Sequence, residues 1–183
     1  MRCTGWLLAA GLLLLLGCKD HPDVPKDAGG QVSGEWTGAD TGSFRAPAVA
    51  EWCDSAQAFT IMAIRGDTGL ALAIHSRTRP EPGRYEVREP PPQGRPILKP
   101  VAGAALRWLG KTRVVGYQAD RGMVQLSRVG TVAAGRFDVR LRGVGNDSGE
   151  VRLTGTFDKV PVVPRSVPCV AGVDSTHGTD ILP

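Results

Sequence analysis

Apolar and polar residues alternate along several short segments of this chain, and the alternation predicts β-strands. Between residues 135 and 142 the apolar side chains of Phe137, Val139 and Leu141 are separated by Arg and Asp. Glu150–Phe157 alternates in the same way. Because successive residues of a strand point to opposite faces, this pattern places one face of each segment against a core and the other in water.

Other segments have a strand-like pattern and are bounded by Gly, Asp or Pro. They are Gln57–Ile64, Leu70–Ser76, Arg84–Arg88, Arg113–Ala119 and Met123–Val129. The first is largely apolar on both faces, which predicts a central strand buried on both sides. Val101–Leu109 fits either a helix or a strand, and the proline-rich Glu89–Pro100 predicts an extended loop.

The number and spacing of these segments predict the fold class. About eight to ten short strands in roughly 130 residues indicate an all-β fold. We expect a single antiparallel β-sandwich or β-barrel domain over residues 32–170, followed by a coil tail over 171–183. The chain has 183 residues, of which 42% are hydrophobic and 22% charged, a length and balance that suit one domain with its own core.

The N-terminus carries the features of a secretion signal. Arg2 is followed by the apolar run Trp6–Leu16, and a small residue, Gly17, precedes Cys18. A membrane-spanning helix needs about 20 apolar residues to cross the hydrocarbon, and this run is too short. The pattern predicts a cleaved signal peptide over residues 1–17.

The residues Leu15-Leu16-Gly17-Cys18 resemble the lipobox of bacterial lipoproteins. That motif has an aliphatic residue three positions before the cysteine and a small residue just before it; Leu16 departs from the usual Ala, Ser or Val. The resemblance implies cleavage after Gly17, a diacylglycerol thioether on Cys18, and acylation of the new amino group with a fatty acid such as palmitate. The alternative is an ordinary cleaved signal in which Cys18 is incidental.

Residues 18–31 are polar and broken by Pro and Gly, which predicts a flexible lipidated tether between membrane and domain. Lys19, and not Asp, follows Cys18. In proteobacterial sorting, Asp at this position favours retention in the inner membrane. The lipoprotein resemblance therefore favours the outer membrane of the bacterial cell envelope over the inner membrane.

Two cysteines remain once Cys3 is lost with the signal peptide and Cys18 carries lipid. An even pair in an exported protein predicts one disulfide, Cys53–Cys169. Two separate buried thiols are the alternative. No Cys-x-x-Cys is present, so the sequence predicts no metal site.

Basic residues concentrate in the second half of the domain. Between Arg77 and Arg152 there are 15 Lys and Arg against 7 Asp and Glu. A face for an anionic partner is predicted on neighbouring strands at Arg136, Arg140, Arg142 and Arg152. The partner would be an anionic envelope polymer or a protein, and nothing favours nucleic acid. The alternative is a solvated face on which Asp138 and Glu150 pair with the arginines.

Gly34-Glu35-Trp36 resembles the Gly-x-Trp opening of lipocalins and related barrels. In that family the Trp plugs the closed end of an eight-stranded barrel and a late Arg packs over it, a part that Arg152 or Arg165 would play. The resemblance implies a carrier of a small hydrophobic ligand, with an internal cavity. The competing hypothesis is a binding or structural module that acts through its outer faces.

Catalysis has little support in the sequence. His75, Asp120 and Ser148 follow one another as Ser-protease triad residues do, but Glu150 replaces the second glycine of the chymotrypsin-like nucleophile turn. No phosphate-binding glycine loop lies between a strand and a helix. We therefore expect no enzyme activity, no cofactor and no metal.

Overall fold

Nine β-strands make up the described part of the chain, and that part contains no helix. A computed structural model describes residues 29–89, 95–110, 112–145 and 149–164. The strands are β1 (Gln31–Gly38), β2 (Gly42–Cys53), β3 (Ala58–Arg65), β4 (Thr68–His75), β5 (Gly83–Glu86), β6 (Val101–Leu109), β7 (Val114–Arg128), β8 (Val132–Gly143) and β9 (Glu150–Val163). The all-β prediction is confirmed.

Eight of these strands close into an antiparallel barrel. They follow the order β7-β6-β4-β3-β2-β1-β9-β8, and β8 pairs again with β7. Every neighbouring pair in this ring is antiparallel. Of the two predicted architectures, sandwich and barrel, the chain adopts the closed barrel.

β5 lies outside the ring of eight, in a fork between β6 and β7. The first half of β7 pairs with β6, whereas Met123–Leu126 pairs with β5. The register of β7 against β8 shifts between Ala119 and Arg121, and Gly122 has a φ of 125°. This bulge and the glycine bend β7 away from β6, which leaves room for the extra strand.

Apolar side chains line the barrel interior. Inward residues of the barrel strands and of β5 form a single buried cluster. Near one end, Trp36 stacks on Trp108, with ring centroids 5.5 Å apart, and Trp108 stacks on Tyr117 at 5.4 Å. Alternation of buried and exposed positions follows the period of two that the sequence predicted for β8 and β9.

The chain enters and leaves the barrel at the same end, which we call the entry end. β1 begins there at Gln31, and β9 finishes there in a short parallel pairing with β2 that joins Glu51 and Val163. The opposite end, the far end, carries the β3–β4 turn and the aromatic stack of Trp36.

Three sequence interpretations change with the structure. Val101–Leu109 is a strand, and the two segments predicted within residues 113–129 are one long bent strand, β7. The prediction that the third strand is buried on both faces is wrong, because Met62 is 43% and Ile64 55% exposed. A barrel buries only its inner face here, so the outer apolar side chains of β3 meet solvent.

The signal peptide, most of the tether, the lipidation residue Cys18 and the C-terminal tail lie outside the described residues. So do Ser148, Arg165 and Cys169. In the part of the chain that the structure describes, no helix is long and apolar enough to cross a bilayer.

Candidate anion-binding groove

The four arginines of the predicted anionic-partner face lie together on the outside of the barrel. Arg136, Arg140 and Arg142 are outward positions of β8, and Arg152 is an outward position of β9, directly opposite Arg140. Alternation along each strand, together with the β8–β9 register, produces this arrangement. The residue placement is as the sequence predicted, but each arginine also has a partner.

Arg152 forms a two-point contact with Asp138 on the neighbouring strand. Its Nε and one terminal nitrogen donate to the two carboxylate oxygens at 2.9 and 2.6 Å. The hydrogen bond from Arg152 lowers the pKa of Asp138, and the positive charges of Arg152 and Arg140 add to this effect. Asp138 therefore stays ionised through the neutral range and compensates Arg152.

Glu150 and Asp120 compensate Arg140 and Arg142, two of the other three arginines of this face. Glu150 accepts hydrogen bonds from Arg140 at 2.9 Å and from Arg121 at 2.8 Å, which lowers its pKa, the Arg140 bond being the largest cause. Asp120 pairs with Arg142 at 2.9 Å. A neutral amide, Gln125, accepts from Arg136 at 3.0 Å. The paired face that the sequence left open as an alternative is thus present on β8 and β9.

Two cations that the sequence analysis did not single out border a groove beside this face. Arg84 projects from β5, and Lys99 lies in the segment that leads into β6. The groove has a volume of about 700 Å³ and is lined also by Arg121, Arg140 and Arg152, with Glu86 and Asp138 as its acids. Among the described residues, neither Arg84 nor Lys99 is in an ion pair.

Local structure explains how this groove forms. The bulge in β7 puts the consecutive residues Asp120 and Arg121 both on the outer face, where strict alternation would bury one of them. β5 is held in the fork because Tyr85 is buried and its hydroxyl donates to the carbonyl of Glu81. Arg84, its neighbour on the strand, therefore points outward over β7.

The charge of the groove suits an oxyanion. Glu86 is engaged by Arg88, whose terminal nitrogen lies 2.9 and 3.0 Å from its two oxygens, and Asp138 is engaged by Arg152. Arg84 and Lys99 add two positive charges that no described carboxylate compensates. Arg offers planar pairs of donors to carboxylate, sulfate or phosphate, and Lys offers a point charge.

Two of the residues considered for proteolysis, Asp120 and His75, lie in the described part of the chain. Asp120 is committed to Arg142 and Arg121 on the outside of β7. His75 is the last residue of β4, at the entry end, and burial lowers its pKa. Asp120 is thus paired with arginines and does not orient a histidine.

Trp36 is buried near the far end of the barrel, and Arg152 does not cover it. Trp36 is 7% exposed and stacks on Trp108 at the far end. Arg152 points to the outside of β9, where it binds Asp138. The role suggested for Arg152 over the Trp is therefore wrong, because its register position faces solvent.

A second concave region, of about 460 Å³, lies on the outer face of β3, β4, β6 and β7 near the far end. Its lining includes the exposed side chains of Met62, Ile64, Val114 and Val144, together with four small residues, Gly69, Ala71, Ala105 and Gly116. Arg107 is its one charged lining residue. The two grooves give the barrel a charged wall and an apolar wall.

No group of three or more His, Cys, Asp or Glu within the described ranges is placed to hold a metal ion. The charged groove is therefore the arrangement of side chains with the clearest binding chemistry. No known protein family, curated protein or solved structure matches this chain.

Proposed function

We propose that this protein is a lipid-anchored module of the bacterial cell envelope that binds an anionic partner and does not catalyse a reaction. The observation that carries the proposal is the pair Arg84 and Lys99, which face a groove of about 700 Å³ and lack an ion-pair partner among the described residues. The compensated arginines beside them add hydrogen-bond donors without repelling one another.

The anchored location rests on the lipobox resemblance at Cys18 and on the polar tether that follows it. Lys19 supports the outer membrane. The tether would meet the barrel at the entry end, where β1 begins. The groove lies on the side wall of the barrel, so a partner running along the membrane surface would have access to it.

The buried cluster inside the barrel supports binding on the outer face. A carrier needs an internal cavity, whereas here the inward side chains form one buried cluster. A lipocalin-like carrier stays the second candidate because the barrel is closed and Trp36 is buried near its far end. Its ligand would have to displace core side chains or use the outer apolar region at Met62 and Ile64.

Binding of the intact lipidated protein, in non-ionic detergent, to immobilised heparin tests the proposal. The double variant Arg84→Ala/Lys99→Ala should elute at lower salt, and the slope of log affinity against log salt should fall by about 2, since each lost contact releases about one counterion fewer. Arg65→Ala/Arg107→Ala removes the same charge from two residues that do not line the groove and should elute close to the unaltered protein. Equal elution of the two double variants would contradict a specific groove.

A further inference from the structure

A continuous row of polar side chains runs across six strands on the outside of the barrel. Each residue of the row is the direct pairing partner of the next one, which lies on the neighbouring strand. The row, which we call the polar ladder, is Arg84 (β5), Gln125 (β7), Arg136 (β8), Thr156 (β9), Ser33 (β1) and Arg45 (β2). Every member can donate a hydrogen bond, and none is a carboxylate.

The ladder lies along two concave regions that join end to end. One, of about 500 Å³, is lined by Arg84, Gln125, Arg136 and Thr156. The other, of about 390 Å³, is lined by Ser33 and Arg45. Both are also lined by Thr154 and Gly155, so the two regions meet over β9.

The spacing of its charges suits a chain-like ligand. Neighbouring strands are about 4.8 Å apart, so the six positions extend over roughly 24 Å. Arg84 and Arg136 are two strands apart, and Arg136 and Arg45 are three strands apart. Hydroxyls and an amide lie between the cations, and Ser33 and Thr156 are within 3.2 Å of each other. A ligand that follows this row meets separated positive charges with neutral polar groups between them.

From this pattern we infer that the groove's partner is an acidic glycan, a linear chain of hydroxyl-bearing sugars with spaced acid groups, lying across the strands along the polar ladder. This inference rests on the proposed anion-binding function and adds the ligand class and its direction. A uniformly charged polymer would require a cation at each step, whereas two neighbouring steps of the ladder, Thr156 and Ser33, are neutral. The row beside the ladder carries Glu35 and Asp138, which disfavours a dense polyanion further.

Calorimetric titration with oligogalacturonates of increasing length, again on the intact lipidated protein in non-ionic detergent, tests the inference. Affinity should rise with length until the ladder is spanned. Arg45→Ala should weaken the longest oligomer about tenfold, the usual range for one charge-assisted contact, and leave the dimer unchanged. Arg84→Ala/Lys99→Ala should weaken both, and Arg107→Ala, a matched charge loss on the other wall, should weaken neither.

The outcomes separate the two proposals. If Arg84→Ala/Lys99→Ala binds less but Arg45→Ala binds long oligomers normally, glycan binding along the polar ladder is wrong and anion binding in the groove is retained. If neither variant changes binding, the anion-binding function fails as well. Vesicles of phosphatidylglycerol and phosphatidylcholine form a separate arm: vesicle binding that depends on Arg45 and Arg84, without oligogalacturonate binding, would replace the glycan with a lipid surface. Thermal unfolding of each variant checks that the fold is retained.

Discussion

Arg152 holds Asp138 by two hydrogen bonds across the β8–β9 pair, at 2.9 and 2.6 Å. The contact compensates one charge of the groove while both side chains remain more than half exposed. Exposed pairs of this kind contribute about 1 kcal/mol or less, because solvent screens them and ordering two side chains costs entropy. The Arg152–Asp138 pair therefore affects the charge that a ligand meets in the groove more than it affects the stability of the fold.

A double-mutant cycle on this pair should give only a small coupling energy in urea unfolding, because solvent screens two exposed side chains. We expect Asp138→Asn alone to bind heparin more tightly than the unaltered protein, because it removes a negative charge from the groove. Asp158→Asn, on the same strand pair but outside the lining of the groove, is the control. Weaker heparin binding by Asp138→Asn would show that Arg152 needs its partner to be positioned for the ligand.

Acid should destabilise the fold through the same carboxylates. The pKa values of Asp138 and Glu150 are lowered from 3.8 and 4.5 by their arginine partners. Groups whose pKa is lowered on folding stabilise the folded state above their ordinary pKa, and this contribution is lost as the pH falls through the lowered values. Burial lowers the pKa of His75 from 6.5, so the free energy of unfolding should begin to fall below about pH 6.5, and the carboxylates should add a further fall below about pH 4. The free energy of unfolding should fall less steeply with acid in Asp138→Asn. An equally steep fall would show that Asp138 does not contribute to the acid sensitivity.

Substitution of Gly122 should destabilise the barrel and disturb the groove. Its φ of 125° disfavours any side chain, and an added methyl group would overlap the carbonyl oxygen of Asp138. We expect Gly122→Ala to lower the free energy of unfolding by at least about 1–3 kcal/mol, the usual cost of such a backbone conformation. Gly116→Ala, also in β7 but with open space around the new methyl, should change stability little. Chemical denaturation measures both.

The predicted Cys53–Cys169 disulfide fits the direction of the chain at the entry end. Val163 lies beside Glu51 in a parallel pairing, Cys53 is two residues further along β2, and Cys169 is six residues further along the chain. Six extended residues reach up to about 20 Å, which is ample. Mass spectrometry of the unfolded, unreduced protein should find the two cysteines linked, and Cys169→Ser should cost about 2–5 kcal/mol. Alkylation of both thiols without reductant would contradict the prediction.

The lipid anchor is tested on the mature N-terminus. Mass spectrometry should find a chain that begins at acylated Cys18, and the protein should partition into a detergent phase. Cys18→Ala should abolish the partitioning, because no thioether can form, whereas Cys53→Ala should retain it. An unacylated Cys18, or cleavage elsewhere, would leave the domain exported but unanchored.

Period-two patterns predicted the fold class, the strands of the second half and the placement of Arg136, Arg140, Arg142 and Arg152. They could not predict the groove, because it depends on contacts distant in the sequence. Arg84 reaches it only because β5 inserts between β6 and β7, and that insertion depends on a bulge. The alternation of apolar and polar residues does not reveal a bulge, and for this reason the pattern predicts two strands where the structure has one, β7.

The prediction that β3 is buried on both faces is wrong for a related reason. Met62 and Ile64 have the composition of a strand covered on both faces, yet the closed sheet places them in solvent. The apolar composition of a strand shows that its side chains could be buried, but whether another part of the chain covers them depends on the topology.

Closure of the ring has a consequence for recognition. Each strand of the ring pairs with two neighbours, so the ring offers an incoming peptide no open edge to which it could add as one more strand; β5, at the end of the strand order, lies outside this closure. Selectivity within the ring must then come from side chains on its outer surface, which exchange partners rapidly and respond to ionic strength. Such a surface suits weak, reversible binding of long polymers.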